Sequence, residues 1–117
     1  MRTIESQIQI ACMKWFRYQY PKLSKLCFAV PNGGNRSIVT AKILKAEGVV
    51  AGVSDIILLC HNRFYHSLCI EMKQPKGKQS KNQIAWQTEA EKANNKYVVC
   101  HSVDEFIEVV ETYLKDK

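Results

Sequence analysis

The spacing of apolar and polar residues along the chain predicts alternating helices and strands. Stretches with apolar residues at helical spacing alternate with short runs of consecutive apolar residues. The predicted order is helix 3–19, strand 26–30, helix 37–47, strands 54–60 and 65–73, helix 81–94, strand 96–100 and a last helix that begins after Ser102. This order indicates an α/β domain with a mixed four-stranded sheet flanked by helices.

Turn and cap residues set the limits of these elements. Pro21 ends the first helix, and the run from Pro31 to Gly34 is a strong turn signal before the second. Ser80 is the expected N-cap of the third helix, and Ser102 with Glu105 forms a capping box for the last. The strand at 96–100 should return parallel to its neighbour by a right-handed crossover.

The two central strands bring charged residues to one place. If they pair as antiparallel strands about a turn centred on Arg63, Asp55 falls opposite Glu71. Lys73 lies two residues further along the same face, about 7 Å away. Two carboxylates and an ammonium group at the end of a hydrophobic hairpin indicate a site for a hard metal ion with a lysine beside it, which is chemistry suited to phosphodiester cleavage.

Several short motifs together resemble one nuclease family. Gly52–Asp55 is similar to its Gly-Val-Pro-Asp segment, Glu71–Lys73 to its Glu-x-Lys, and Ser80–Trp86 to its Ser-x-x-Gln-x-x-Trp helix. Glu5 matches the acid of its first helix, and Asn32–Gly34 a turn before the second. The chain therefore resembles the virus-type replication-repair nuclease (VRR-NUC) family of the PD-(D/E)xK superfamily.

The resemblance implies a restriction-endonuclease-like core that occupies residues 1–117 as a single, stand-alone domain. It also implies cleavage of DNA with Mg²⁺ or Mn²⁺, by a homodimer that acts on branched DNA such as four-way (Holliday) junctions in DNA repair. Ser54 departs from the family pattern, where proline is commoner. This change affects the rigidity of the turn and leaves the metal chemistry unaltered.

The candidate catalytic residues are expected to act around the metal ion. Asp55 and Glu71 would ligate it, and the backbone carbonyl of Met72 would be a further ligand. Lys73 would polarise the attacking water or stabilise charge on the phosphate. The competing interpretation makes Asp55 a strand-start residue, and makes Glu71 and Lys73 a weak surface ion pair.

Two further polar residues have good structural explanations beside the functional ones. Glu5 would reach the metal through water or bind a second ion, but acids also favour the first turn of a helix. Gln83 would orient the water or a phosphate oxygen, but it also completes a capping box with Ser80. Trp86 is expected to be a packing residue.

Basic residues flank the predicted site. Lys76, Lys78 and Lys81 are expected to bind DNA phosphates, and Arg36, Lys42 and Lys45 would extend that surface along the second helix. The alternative is a solvated run of charge. A net charge of +6 fits a polyanionic partner. Contact with about five phosphates would give a log–log salt slope of about −4 to −5.

Length and composition indicate the number of domains and the cellular compartment. The chain has 117 residues, which fits one domain, and it contains neither an apolar run of membrane-spanning length nor a secretory signal. Five cysteines without a CxxC pair favour buried free thiols. We therefore expect a protein of the cytoplasm with no membrane partner. The resemblance to the VRR-NUC family, with so short a chain, implies a bacterial or phage-infected cell.

Two rival functions remain open at this stage. One is a related nuclease that cuts flaps, nicked or single-stranded DNA, or that cuts duplex DNA as restriction enzymes do. The other is a nucleic-acid-binding module without catalysis, in which the acids have structural roles.

Overall fold

The computed structural model of the protein describes residues 3–31 and 37–117. The helices in these ranges are α1 (Ile4–Gln19), α2 (Ile38–Ala46), α3 (Lys81–Lys92) and α4 (Val103–Lys115). The strands are β1 (Cys27–Ala29), β2 (Ile56–Leu58), β3 (Leu68–Met72) and β4 (Lys96–Cys100). A turn of 3-10 helix at Pro21–Leu23 follows α1. The predicted α/β class is confirmed, whereas the turn predicted at Asn32–Gly34 lies outside the described residues.

The strands form one sheet in the order β1-β2-β3-β4. The β1/β2 and β2/β3 pairs are antiparallel, and β4 is parallel to β3. Ile56 pairs with Ile70 and Leu58 with Leu68, which is the register predicted for a hairpin centred on Arg63. The parallel return of β4 after α3 is also confirmed.

The two central strands are shorter than their apolar runs predicted. Residues 59–67 connect β2 to β3 as an irregular loop. Asn62 orders this loop, because its Oδ1 accepts hydrogen bonds from the backbone N–H groups of Phe64 and Tyr65 over 2.9 and 2.8 Å. An asparagine side chain that binds its own neighbouring backbone favours a turn over continued strand pairing.

One face of the sheet packs against α1 and α4 to form the core. Alternate strand residues point to this face, because side chains alternate between the two sides of a strand. Each fully buried aliphatic or aromatic side chain stabilises the fold by about 1.5–3 kcal/mol. The core includes Cys12, Phe16, Ile56, Leu58, Leu68, Ile70, Met72, Phe106 and Val110.

The opposite face is covered in part by α3 and carries the polar residues of interest. Cys69, Glu71 and Tyr97 point to this side, and all three are buried. Trp86 of α3 packs on Tyr97 with ring centroids 6.0 Å apart, so it is the packing residue that the sequence predicted. The half-buried Trp86 thereby fixes α3 over β3 and β4.

Helix α2 differs from the expectation that the helices pack on the sheet. Ser37 caps it by accepting a hydrogen bond from the N–H of Thr40 over 3.0 Å. Yet none of its residues is buried, and Ile38, Val39 and Ile43 are 75%, 68% and 54% exposed. The expectation of packing is wrong for most of α2, because only Leu44 among its large apolar residues is half-buried and the other three are exposed.

The thiols are free and mostly buried. Cys12, Cys27, Cys69 and Cys100 are buried and Cys60 is half-buried, as predicted for a chain without disulfides. Burial raises the pKa of the Cys12, Cys27 and Cys100 thiols to about 12, which makes them unreactive. Across residues 3–31 and 37–117 we find no helix with the length and apolarity to cross a membrane.

Candidate active site

Asp55 lies directly before β2 and is held from both sides. Its backbone carbonyl accepts a hydrogen bond from the N–H of Val30 over 2.8 Å. Its side-chain Oδ2 accepts one from the N–H of Met72 over 2.7 Å. Continuing the β2/β3 register by one residue places Asp55 opposite Glu71. The two acids therefore sit side by side at one end of the hairpin.

Glu71 is a buried carboxylate with a partner on each oxygen. It is only 1% exposed. Its Oε2 accepts a hydrogen bond from Nε2 of Gln83 over 2.8 Å, and its Oε1 accepts one from the hydroxyl of Tyr97 over 3.1 Å. The ammonium group of Lys73 lies 3.9 Å from Oε2, with a side chain that is 15% exposed. The structure thus brings Asp55, Glu71 and Lys73 together.

The surroundings of Glu71 disfavour its charged form. Burial, followed by the charge of Asp55, raises the pKa of Glu71 from 4.5 to about 8. The hydrogen bond from Tyr97 and the charge of Lys73 act in the opposite direction and do not offset this. A divalent cation beside the two carboxylates would relieve both the desolvation and the repulsion.

Gln83 forms the predicted capping box and makes a second contact, with Glu71, that its sequence position did not suggest. Its Oε1 accepts a hydrogen bond from the N–H of Ser80 over 2.8 Å, and the Oγ of Ser80 accepts one from the N–H of Gln83 over 3.2 Å. This is a complete capping box for α3. Because the amide has a separate NH₂ group, Gln83 also donates to Glu71.

Backbone conformation and close packing explain why the motif before Asp55 opens with a glycine, Gly52. Its φ is +87°, a conformation that favours glycine. A Cβ on this residue would lie 2.2 Å from the carbonyl oxygen of Asn82 in the first turn of α3. The two backbone segments are therefore too close for any side chain at position 52. Ser54, which stands where proline is commoner, is fully buried and donates to the carbonyl of Ile56 over 3.2 Å.

Glu5 lies in the first turn of α1, at a cleft beside the acidic pair. This cleft has a volume of about 290 Å³ and is shared by Glu5, Asp55 and Met72. Ser6 and Gln9 add polar groups to its wall. Within the described ranges, no three His, Cys, Asp or Glu side chains converge into a metal-binding group. Glu5 therefore faces the site across the cleft without completing a three-carboxylate cluster.

The predicted DNA-binding residues lie in two parts of the described structure, and one of them lies outside it. Lys76 and Lys78 are exposed on the segment between β3 and α3, and Lys81 is exposed at the first position of α3. These elements also carry Glu71 and Gln83. Lys42 and Lys45 are exposed on α2, and their place beside bound DNA stays a prediction. Arg36 lies outside the described residues.

Tyr97 is a site residue that the sequence did not indicate. Alternation along strand 96–100 assigns it to one face, but no residue pattern sets the register of a parallel pair. In the structure Tyr97 pairs with Cys69, which puts its ring beside Glu71. Gln79 was missed because its contact with Tyr97 joins the segment before α3 to a strand 18 positions further along the chain.

Comparisons with known proteins agree with this geometry. The model of the VRR-NUC domain family matches residues 3–104. A solved structure described as a VRR_NUC domain protein is similar at 26% identity, with a TM-score of 0.85 over 99% of this chain and 92% of that chain. None of the curated proteins matches the chain. Because the family model spans most of its length, the chain belongs to the VRR-NUC family of nucleases, with a restriction-endonuclease-like α/β fold.

Proposed function

We propose that the protein is a Mg²⁺- or Mn²⁺-dependent endonuclease that hydrolyses DNA phosphodiesters. The observation that carries this proposal is the state of Glu71, a carboxylate that is 1% exposed beside the second carboxylate of Asp55. A purely structural acid in such a place is destabilising. A pair of acids that binds a cation as part of its function accounts for it.

The donor set fits a hard divalent ion. Asp55, Glu71 and the backbone carbonyl of Met72 would hold it through oxygen atoms, which Mg²⁺ and Mn²⁺ prefer. Glu5 would reach it through water from the other side of the cleft, or bind a second ion. The bound ion would supply Lewis-acid stabilisation of charge on the attacked phosphate and the leaving oxygen.

Lys73 and Gln83 would have different tasks. The ammonium group of Lys73, 3.9 Å from Glu71, would position the attacking water or stabilise charge on a phosphate oxygen. The NH₂ group of Gln83 is turned toward Glu71. We therefore assign to Gln83 the holding of this carboxylate, in place of the predicted orientation of water or phosphate.

The DNA substrate would be held by its phosphates. The exposed lysines between β3 and α3 would bind them without reading sequence, so selection would follow the shape of the DNA. Membership of the family favours branched DNA, such as the four-way junction, and action within DNA repair in the cytoplasm of a bacterial or phage-infected cell.

A homodimer would suit such a substrate, because a two-fold axis presents two sites to two opposed strands. The exposed apolar residues Ile38, Val39 and Ile43 of α2 support self-association. Sedimentation of the purified protein tests this, and a monomer at all concentrations would contradict it.

A panel of labelled DNA structures tests the proposed function. Four-way junctions, flaps, nicked duplex and single strands are incubated with Mg²⁺ or Mn²⁺ and with wild type, Asp55→Ala or the control Glu108→Ala, which removes an exposed acid of α4. We expect wild type and Glu108→Ala to cut the junction, and Asp55→Ala to bind it without cutting. Binding without cleavage of any substrate by wild type would favour the non-catalytic alternative, and preferred cleavage of flaps, nicks or single strands would replace the junction as substrate.

A further inference from the structure

The hydroxyl of Tyr97 is the second donor to Glu71, and it comes from a different element than the first. Tyr97 lies on β4 and is 6% exposed. Its hydroxyl donates to Oε1 of Glu71 over 3.1 Å, while Gln83 of α3 donates to Oε2 over 2.8 Å. The carboxylate is therefore fixed at both oxygens, and it cannot turn about its last bond without losing one partner.

The direction of the Tyr97 hydrogen bond is set by Gln79. Nε2 of Gln79 lies 3.3 Å from the Tyr97 oxygen and 2.9 Å from Oε1 of Gln87. An amide NH₂ group has two hydrogens, one for each of these acceptors. Since the Tyr97 oxygen accepts from Gln79, its own hydrogen is directed to Glu71.

We propose that Tyr97 is a positioning residue that holds the Glu71 carboxylate in the orientation needed for the divalent ion, and that Gln79 keeps the Tyr97 hydroxyl pointed at it. This inference rests on the proposed function. Residues that hydrogen-bond a metal ligand commonly change metal affinity by about 10–100-fold when they are removed. Loss of the hydroxyl would leave a buried carboxylate oxygen without its donor.

The same link joins the metal site to the segment that would bind DNA. Gln79 directly follows Lys78 in that segment. A shift of the segment would therefore move Gln79, and through it the donor to Glu71. Gln79→Ala should weaken metal binding in the same direction as Tyr97→Phe, but less, because the Tyr97 hydroxyl is still present.

Calorimetric titration with Mn²⁺ tests the inference on wild type, Tyr97→Phe, Gln79→Ala and Asp55→Ala. The matched control is Tyr113→Phe, since Tyr113 is also buried, and its hydroxyl donates to the carbonyl of Cys60 over 2.6 Å in another part of the fold. We expect Tyr97→Phe to weaken Mn²⁺ binding about 10–100-fold, with junction cleavage restored at saturating Mn²⁺. Tyr113→Phe should lower the melting temperature and leave the Mn²⁺ affinity unchanged.

The outcomes separate this inference from the proposed function. If Asp55→Ala loses Mn²⁺ binding while Tyr97→Phe and Gln79→Ala bind as tightly as wild type, the positioning role is overturned and the proposed function stands. Equal weakening by Tyr97→Phe and Tyr113→Phe would also overturn it, because the effect would then follow stability. If wild type binds no Mn²⁺, the proposed function fails, and the inference fails with it.

Discussion

The side-chain amide of Gln83 donates to Oε2 of Glu71 over 2.8 Å while its oxygen caps α3. One residue thus fixes the start of a helix and a buried acid on the neighbouring strand. Formation of the first turn of α3 and assembly of the candidate site are therefore physically coupled.

Removing the helix cap alone should affect stability, whereas removing the Gln83 donor to Glu71 should also affect cleavage. Ser80→Ala removes the N-cap and should lower the free energy of unfolding by about 0.5–2 kcal/mol while cleavage is largely retained. Gln83→Ala also removes the donor to Glu71, and cleavage should fall by about 10–100-fold. Chemical denaturation and cleavage rates check this. Equal loss of cleavage in both variants would mean that capping alone matters.

Gly52 and Gly48 offer a comparison of close approach with conformational strain. Both have positive φ, at +87° and +108°, but a Cβ on Gly48 would meet nothing within 4 Å. Gly48→Ala should therefore lower the free energy of unfolding only by the cost of a positive φ in alanine, about 1–2 kcal/mol. Gly52→Ala adds a clash with the backbone of Asn82 and should be more destabilising and lose cleavage. Thermal melts of both variants test this, and equal losses would contradict it.

The stability of the metal-free protein should fall as pH rises through the titration of Glu71. Its pKa is raised in the folded state from 4.5 to about 8, so the folded state binds more protons than the unfolded state between these values. The free energy of unfolding then decreases with rising pH across that window. Denaturation in the presence of a chelator at several pH values measures the slope.

Two controls accompany the pH experiment. Glu71→Gln removes the titrating group and should flatten the dependence across the window. Mn²⁺ should restore stability at the upper end, because it binds the ionised carboxylates and releases the proton. A wild-type slope that Glu71→Gln leaves unchanged would show that other groups cause it.

The lysines of the segment between β3 and α3 should determine DNA affinity more than the rate of cleavage. Lys76→Ala combined with Lys78→Ala should weaken binding at every sequence and reduce the log–log salt slope by about 2. The rate at saturating DNA should change little. Lys115→Ala is the control, because it removes an exposed lysine at the far end of α4. An unchanged slope in the double variant would exclude these lysines from the interface.

The sequence predicted the hairpin of the site well, for an identifiable reason. The register of β2 with β3 follows from the symmetric placement of two apolar runs about Arg63, and a slip by one residue would turn the buried face outward. The positions of Asp55 and Glu71 depend on this local pairing. The N-caps at Ser80 and Ser102 were also visible, because they depend on residues three positions apart. The capping box is complete at Ser80 only among these two, because the Glu105 carboxylate accepts from the N–H of His101.

The remaining features depend on contacts between distant segments. The approach of Gly52 to Asn82 and the bond from Tyr97 to Glu71 cross 30 and 26 positions of the chain. No local periodicity encodes such contacts. The exposure of α2 was missed because apolar residues at helical spacing do not show whether they pack on the sheet of the same chain or on another surface.

A crystal structure with Mn²⁺ tests the central claim most directly. Anomalous scattering should show an ion bound to carboxylate oxygens of both Asp55 and Glu71, with Lys73 at its edge, and Asp55→Ala should lose it. An ion bound elsewhere, or no bound ion in well-ordered wild-type crystals at saturating Mn²⁺, would contradict the claim that these two acids share a catalytic metal.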